Sequence, residues 1–364
     1  MKFVFYQNFL SIHQAAFLNA LALEHEVVLI TQTRRDIQRQ REGWEEPVLT
    51  NIEIHTAISD RKLEELQEKH TASFHIFSGI TAEPMIHHAL RNALHKRLRI
   101  LLYMEPYVWN DKYGILRHIK YSILARQLRS RISAVLPTGD MGLKLYRRCG
   151  FRTEQLFAWG YFTRNPMLQE SAQPPAVEKC RLLFIGRLDR NKNCQALLEA
   201  CQRLPESYDG LTIIGSGEEE HRLKQYARNM AVNFIGNVPN EKVFHFIQTH
   251  DILVLPSRYD GWGAVVNEAL SCGTRVVVSE NCGAACLVGT HAERGEIFRF
   301  HGEDNLENVL RRQLARGAQT PDQRQVLQDW ARTHISGKVA ATYFAKICYF
   351  LSHGGTRPLP PWYL

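Results

Sequence analysis

The sequence predicts an α/β protein built from two doubly wound domains of parallel sheet, and three observations carry that prediction. Short β-branched runs alternate with helical patterns along the chain. A length of 364 residues fits two domains, at roughly 100 to 200 residues each. The stretch from Asp251 to Ser279, DILVLPSRYDGWGAVVNEALSCGTRVVVS, holds a complete strand, glycine-rich loop, helix and second strand.

The elements follow in order. Lys2 to Tyr6 reads as a first strand, and Gln14 to Leu23 as a helix with Phe17, Leu18, Leu21 and Ala22 on one face. HEVVLIT from His25, FHIFSGI at 74–80, LRILLYME at 98–105 and ISAVLP at 132–137 supply further strands, with a helix from Pro84 to Lys96. The first domain spans 1–165. The polar segment 166–178, with its paired prolines, reads as a linker. The second domain, 179–335, opens with CRLLFIGRLDRNKNCQALLEAC, a strand and turn followed by a helix. LTIIGSGEEEHRLKQYA from Leu211, VNFIGNV from Val232, the Asp251 unit and GEIFRF from Gly295 continue the alternation. The final segment, 336–364, contains a helical run from Lys338 to Leu351.

Composition bounds the function classes. Hydrophobic residues make up 45% of the chain, ample for two cores, and no run approaches the ~18 apolar residues of a membrane span. The N-terminus, MKFVFYQNF, enters a strand without a signal-peptide profile, so a cytoplasmic location is expected. The eight cysteines are scattered, and Cys282 and Cys286 lack the second close pair or His pair of a zinc site. The net charge of +8 is unevenly placed: between His88 and Arg152 fourteen Lys and Arg face only Glu105, Asp111 and Asp140. Within it, YGILRHIKYSILARQLRSR from Tyr113 alternates isoleucines with cations, as on a basic amphipathic helix. An anionic membrane surface, an anionic acceptor or simple solvation each fits that pattern. No zinc-finger, RNP-type or helix-turn-helix signature accompanies it, which argues against nucleic acid.

Candidate site residues cluster after predicted strands, where an open parallel sheet places its ligands. Gly186 permits a tight turn, and Arg187 and Lys192 bring two cations beside a helix start, a combination suited to a diphosphate. As exposed residues with no ligand, those cations would oppose the helix dipole. Gly215, Gly217 and Gly236 allow close backbone approach. Asp260 precedes Gly261, Trp262 and Gly263, and Glu268 falls about a turn and a half into the next helix. The alternative for this pair is a capping Asp260 and a solvated Glu268. In the first domain, QNFLSIHQ places Gln7, Asn8, Ser11, His13 and Gln14 after the first strand without G-x-G-x-x-G, which argues against a dinucleotide enzyme. Glu105 ends a strand, positioned for an acceptor hydroxyl, for base chemistry, or as a surface partner of nearby cations.

The succession Arg187, Lys192, glycine turns, Asp260, Glu268 resembles the retaining GT-B glycosyltransferases, family 4 (glycosyl transferases group 1), with their GR-x4-K and E-x7-E motifs. Asp260 stands for the first Glu of the second motif. The resemblance implies a GT-B fold of two Rossmann-like domains facing across a cleft that holds the active site, with the last helix returning to the first domain. It implies that Arg187 and Lys192 hold the donor diphosphate and that Asp260 and the amides of Gly261, Trp262 and Gly263 hold the sugar. Glu268 would bind the ribose, the main chain of Gly236, Asn237 and Val238 the base, and Gly186 and Gly215 would line the donor site. Asn281, Cys282 and Gly283 match a glycine-rich turn of the family. Ser11 and His13 become candidates for donor phosphate or acceptor, and Glu105 stands where many members place a histidine.

The implied activity moves a sugar from a nucleotide donor to a glycan or lipid-linked acceptor with retention, in polysaccharide biosynthesis. No cofactor, metal or protein nucleophile is implied, and the sequence has no D-x-D pair. Two other readings stay open. One is a nucleotide-sugar 2-epimerase of the same fold; the other is a binding or scaffold subunit, suggested by Asp260 and Glu105 departing from the family pattern.

Overall fold

A computed structural model describes residues 1–34, 46–81, 83–109, 111–163 and 179–363, with Asn240 and Glu241 described in backbone only. The expected linker, 166–178, lies outside them. The chain forms two compact units. One takes in the described residues up to Thr163 together with those from Ser336 onward, and the other runs from Lys179 to Ile335.

The first unit carries β1 (Lys2–Gln7), β2 (Glu26–Thr31), β3 (Ile52–Thr56), β4 (Phe74–Ser78), β5 (Arg99–Met104) and β6 (Ala134–Pro137). They form one parallel sheet in the order β3-β2-β1-β4-β5-β6. Its helices are α1 (Ile12–Ala22), α2 (Asp60–Lys69), α3 (Pro84–His95), α4 (Gly114–Leu128) and α5 (Gly139–Arg148). Strands such as VVLI and ILLYM are buried from end to end because helices cover both faces of a parallel sheet. β3 was not among the strands read from sequence: IEIHT is short, half-exposed and at the sheet edge, so no apolar run marks it. α1 begins at Ile12, two residues before the expected start, which puts His13 in its first turn.

The second unit repeats the plan. Its strands β7 (Cys180–Ile185), β8 (Tyr208–Ile214), β9 (Val232–Gly236), β10 (Ile252–Leu255), β11 (Arg275–Ser279) and β12 (Gly295–Phe298) pair in the order β12-β11-β10-β7-β8-β9, again all parallel. The helices are α6 (Cys194–Gln202), α7 (Glu220–Tyr226), α8 (Asn240–Gln248), α9 (Ala264–Ser271), α10 (Ala285–Val288), α11 (Leu306–Leu314) and α12 (Pro321–His334). In each unit the chain lays two further strands to one side of its first strand and then three to the other. The reversal falls between β1 and β4, and between β7 and β10. Loops leaving the carboxyl ends of the central strands diverge there and open a crevice.

After α12 the chain rejoins the first unit as α13 (Gly337–His353). Phe344 sits among Phe3, Phe5, Phe17 and Trp159, with ring centroids 5.1 to 5.8 Å away. A side chain at Gly337 would come within 2.4 Å of the Ala16 carbonyl, so this close crossing of α13 over α1 requires glycine. Among the described residues no helix is long and apolar enough to cross a membrane.

Two buried histidines give each unit its own acid sensitivity. His75 accepts from the Tyr6 hydroxyl at 2.9 Å while its other ring nitrogen donates to the His70 carbonyl. His250 donates to the Phe246 carbonyl and accepts from the Thr212 hydroxyl. Burial pushes both down to about 4 from 6.5, so both are neutral in the folded protein. The unfolded chain takes up these protons below pH 6.5 and the folded one does not until about 4. Each site therefore stabilises its unit fully above pH 6.5 and loses up to about 3 kcal/mol as the pH falls to 4. Denaturant unfolding followed across that window should show the decline, and a flat profile would mean that these imidazoles are not held neutral.

Candidate active site

The site is built at the reversal point of the second sheet, from the turn after β7 and the loop after β10. Following Ile185, the chain turns through Gly186 to Asn193. Asp189 closes the turn, its carboxylate accepting from the Lys192 amide at 2.8 Å. Asn193, the N-cap of α6, sits in the left-handed region at φ 56°, a conformation that Asn tolerates better than most residues. Its side-chain amide donates to the Pro256 carbonyl, and that of Asn191 donates to the Tyr259 carbonyl at 2.9 Å. The Arg258 amide donates in return to the Asn191 carbonyl at 2.8 Å. Three bonds thus stitch the two loops together.

That stitching brings Lys192 onto Asp260. The ammonium lies 2.5 Å from Oδ2, with 22% and 13% of the two side chains exposed. The other carboxylate oxygen, Oδ1, accepts from the Trp262 amide at 3.3 Å. Arg187 projects further into solvent, 56% exposed, with its guanidinium 3.4 Å from Asp189. Two cations, an ammonium and a guanidinium, therefore stand at the start of α6, each beside one carboxylate. Glu268 lies nearly buried on the second turn of α9.

The glycine-rich loop owes its shape to the neighbouring turn after β11. The Asp260 amide donates to the Asn281 carbonyl, and the Gly283 amide to the Asp260 carbonyl, a parallel bridge beyond the ends of the strands. Asp260 and Trp262 thus already spend their amides inside the protein. Burial, and secondarily the charge of Asp260, push the Cys282 thiol far up, so it stays protonated and donates to the Trp262 carbonyl at 2.8 Å. The Trp262 ring itself is buried, its Nε1 donating to Asn267 at 2.7 Å, so only its main chain belongs to the site surface. On the other side, the Gly215 amide bonds the Gly236 carbonyl, and Leu188 bonds Ser216. Asn237 donates from its side chain to Ser216 at 2.8 Å, and Val238 follows it in the same turn after β9. Gly186, Gly215 and Gly236 consequently form adjacent turns along one edge.

In the first unit the structure groups two of the three candidates. The ring of His13 stacks on Tyr161 at 5.3 Å, and the Tyr161 hydroxyl bonds the Glu105 carboxylate. The Glu105 carbonyl accepts from Tyr146 at 2.5 Å. Ser11 caps α1 through its carbonyl rather than its side chain. Tyr161, which joins the other two, was missed from sequence because it lies outside any strand or helix, some fifty residues beyond Glu105 in the chain. Asn191 and Asn193 were missed as well. Their signal was there in N-K-N directly before a helix.

The two sheets, each with helices on both faces and the same strand order, define the GT-B class of fold. Solved structures agree along the chain. Anabaena HepE in complex with UDP superposes with a TM-score of 0.66 at 12% identity, over 96% of this chain and 100% of that one. The apo lipopolysaccharide outer core galactosyltransferase WaaB gives 0.70 at 13% identity, over 96% and 99%. Residues 169–332 match the family described as Glycosyl transferases group 1. Among curated relatives, the putative teichuronic acid biosynthesis glycosyltransferase TuaC of Bacillus subtilis is 32% identical over 167 residues, 46% of this chain and 38% of that protein. The glycogen synthase of Mycobacterium tuberculosis is 32% identical over 115 residues, 30% of this chain and 28% of that protein. The chain thus spans well under half the length of these curated relatives.

The glycines rank by what surrounds them. Gly215 (φ 128°) faces the Gly186 carbonyl, 2.0 Å from where a Cβ would sit, whereas Gly263 (φ 86°) would meet Cys282 Sγ at 2.7 Å. Gly236 (φ 79°) has open space. Alanine at Gly236 should cost about 1–2 kcal/mol from backbone strain alone, with more at Gly263 and most at Gly215. Denaturant midpoints check the ranking, and an equal cost at all three would contradict the packing.

Proposed function

We propose that the chain is a retaining, metal-independent glycosyltransferase that moves a hexose from a nucleoside-diphosphate sugar to a glycan or lipid-linked acceptor in polysaccharide biosynthesis. The observation that carries this reading is the meeting of Lys192 and Asp260 at the reversal point of the second sheet. An ammonium for a phosphate and a carboxylate for sugar hydroxyls stand side by side where a doubly wound sheet receives its ligand. The match over 169–332 and the UDP in the HepE complexes support it.

In this reading the bond from the anomeric carbon to the β-phosphate oxygen breaks and its electron pair leaves with the nucleoside diphosphate. Lys192, Arg187 and the start of α6 meet the charge that grows on that phosphate, in a site already shaped before reaction. The acceptor oxygen bonds to the same face of the sugar, and its proton passes to the departing phosphate, so no protein nucleophile takes part. Asp260 accepts from sugar hydroxyls and Glu268 from the ribose, while the main chain at Gly236, Asn237 and Val238 lies against the base. Gly261 and Gly263 keep the loop free of side chains beside the sugar. Ser11 and His13 are assigned to the acceptor or the donor phosphate, and Glu105 to an acceptor hydroxyl or to base chemistry.

Replacing Lys192 by Ala should lower kcat about a hundredfold or more, with the melting temperature little changed, since one such group supplies on the order of 3 kcal/mol. Release of nucleoside diphosphate in the presence of acceptor extracts measures the rate, and proton NMR of the product reads the anomeric configuration. Turnover within a few-fold of wild type would remove Lys192 from the phosphate site. A donor sugar altered without acceptor would identify an epimerase instead.

A further inference from the structure

Helix α4 is apolar on two opposite faces, and the fold uses only one. Gly114, Ala125 and Leu128 are buried, and Tyr121 and Leu124 pack beside them on the core of the first unit. Ile115, Leu116, Ile119 and Ile123 point elsewhere. At 3.6 residues per turn they share an arc of about 100°, centred about half a turn from the core-facing residues. They are 50% to 70% exposed, an isoleucine-rich stripe left in water by the fold. Trp109 and Tyr113, each nearly half exposed, extend it beyond the helix N-terminus.

The charges that α4 itself sets around the stripe are all of one sign. Lys120 and Arg129 lie on its two flanks, Arg126 lies at its C-terminal end, and Lys112 precedes the helix; all are exposed. Arg131, Lys144, Arg147 and Arg148 add exposed cations from the following turn and from α5. α5 borders α4 through the Tyr121 to Tyr146 ring contact at 5.6 Å. α4 itself contains no Asp or Glu. The three acids between His88 and Arg152 are each engaged: Glu105 by Tyr161, Asp111 by Arg117 at 2.6 Å, and Asp140 by Tyr363. Arg117 is thereby tied up, and the other cations are left to give the surface its field.

We propose that this face of the first unit docks on an anionic lipid bilayer. Ile115, Leu116, Ile119 and Ile123 enter the headgroup and acyl boundary, Trp109 and Tyr113 sit at its polar edge, and Lys112, Lys120, Arg126 and Arg129 reach lipid phosphates. Charge selects this occupant. A second copy seated on the same face would bring the cations of one helix against those of the other without an acid on either helix, whereas a bilayer supplies both the apolar medium and the counter-charge. The proposal stands on the first unit alone and does not depend on the sugar-transfer reading.

The test is co-sedimentation of the full chain with vesicles of phosphatidylcholine, or of equimolar phosphatidylcholine and phosphatidylglycerol, with sedimentation velocity of the lipid-free protein alongside. The chain should pellet with the anionic vesicles, weakly or not with the neutral ones, and release as salt rises. Ile119→Glu with Ile123→Glu should abolish pelleting at unchanged melting temperature. Lys120→Ala with Arg126→Ala should weaken partitioning about 30-fold. Absence of pelleting, equal pelleting on neutral vesicles, or indifference to either pair of substitutions would overturn the proposal. So would a lipid-free dimer that the Glu substitutions dissociate, because a second copy would then own the face.

Discussion

The reversal of strand order between β7 and β10 is the constraint on which the rest of the second unit depends. Two adjacent parallel strands send their outgoing loops in opposite directions there, and the backbone groups beyond the strand ends need partners. Asn191, Asn193 and Arg258 supply those partners across the gap, so the loops are joined by hydrogen bonds rather than by the sheet. The ion pair of Lys192 and Asp260 is a consequence of this joining. Neither residue needs a long or flexible path to reach the other, which keeps charge in place at the mouth of the crevice.

The opposite end of the same strand makes a useful contrast. Asp251, at the amino end of β10, is only 1% exposed, and is held by Arg324 at 2.7 Å and by the amides of Arg181 and Gln319. Both oxygens of that carboxylate are engaged, as stability requires of a buried charge. Asp260, nine residues on, is engaged but partly open to solvent. Two aspartates at opposite ends of one strand thus differ in role because one lies under the sheet and the other at its carboxyl edge.

Much of this was legible in the sequence because parallel strands are buried on both faces and read as unbroken apolar runs. ILVL of β10 and VVVS of β11 declare themselves in that way, and so do the glycines at which backbones must nearly touch. The edge strand β3, with IEIHT half in water, lacks that signature and does not stand out. Side-chain meetings between distant segments are harder still. Nothing local announces that Tyr161 will lie between His13 and Glu105, or that Asn191 will reach Tyr259. The double-faced character of α4 was half visible: the isoleucines and cations could be counted, but which of them the core would claim depended on where the helix landed.

The central claim is that the edge built from Gly186, Arg187, Lys192 and Asp260 receives a nucleoside diphosphate. The most direct measurement is the melting temperature of the protein in the presence of UDP, GDP, dTDP and ADP, each without added metal, beside Arg187→Ala under the same conditions. A ligand at about 100 times its dissociation constant stabilises the native state by roughly 2.7 kcal/mol, a shift that a melting curve resolves. The account predicts that one base gives a selective upward shift and that the variant loses most of it. Unchanged melting with every nucleotide would contradict it and leave the second unit a fold without its ligand.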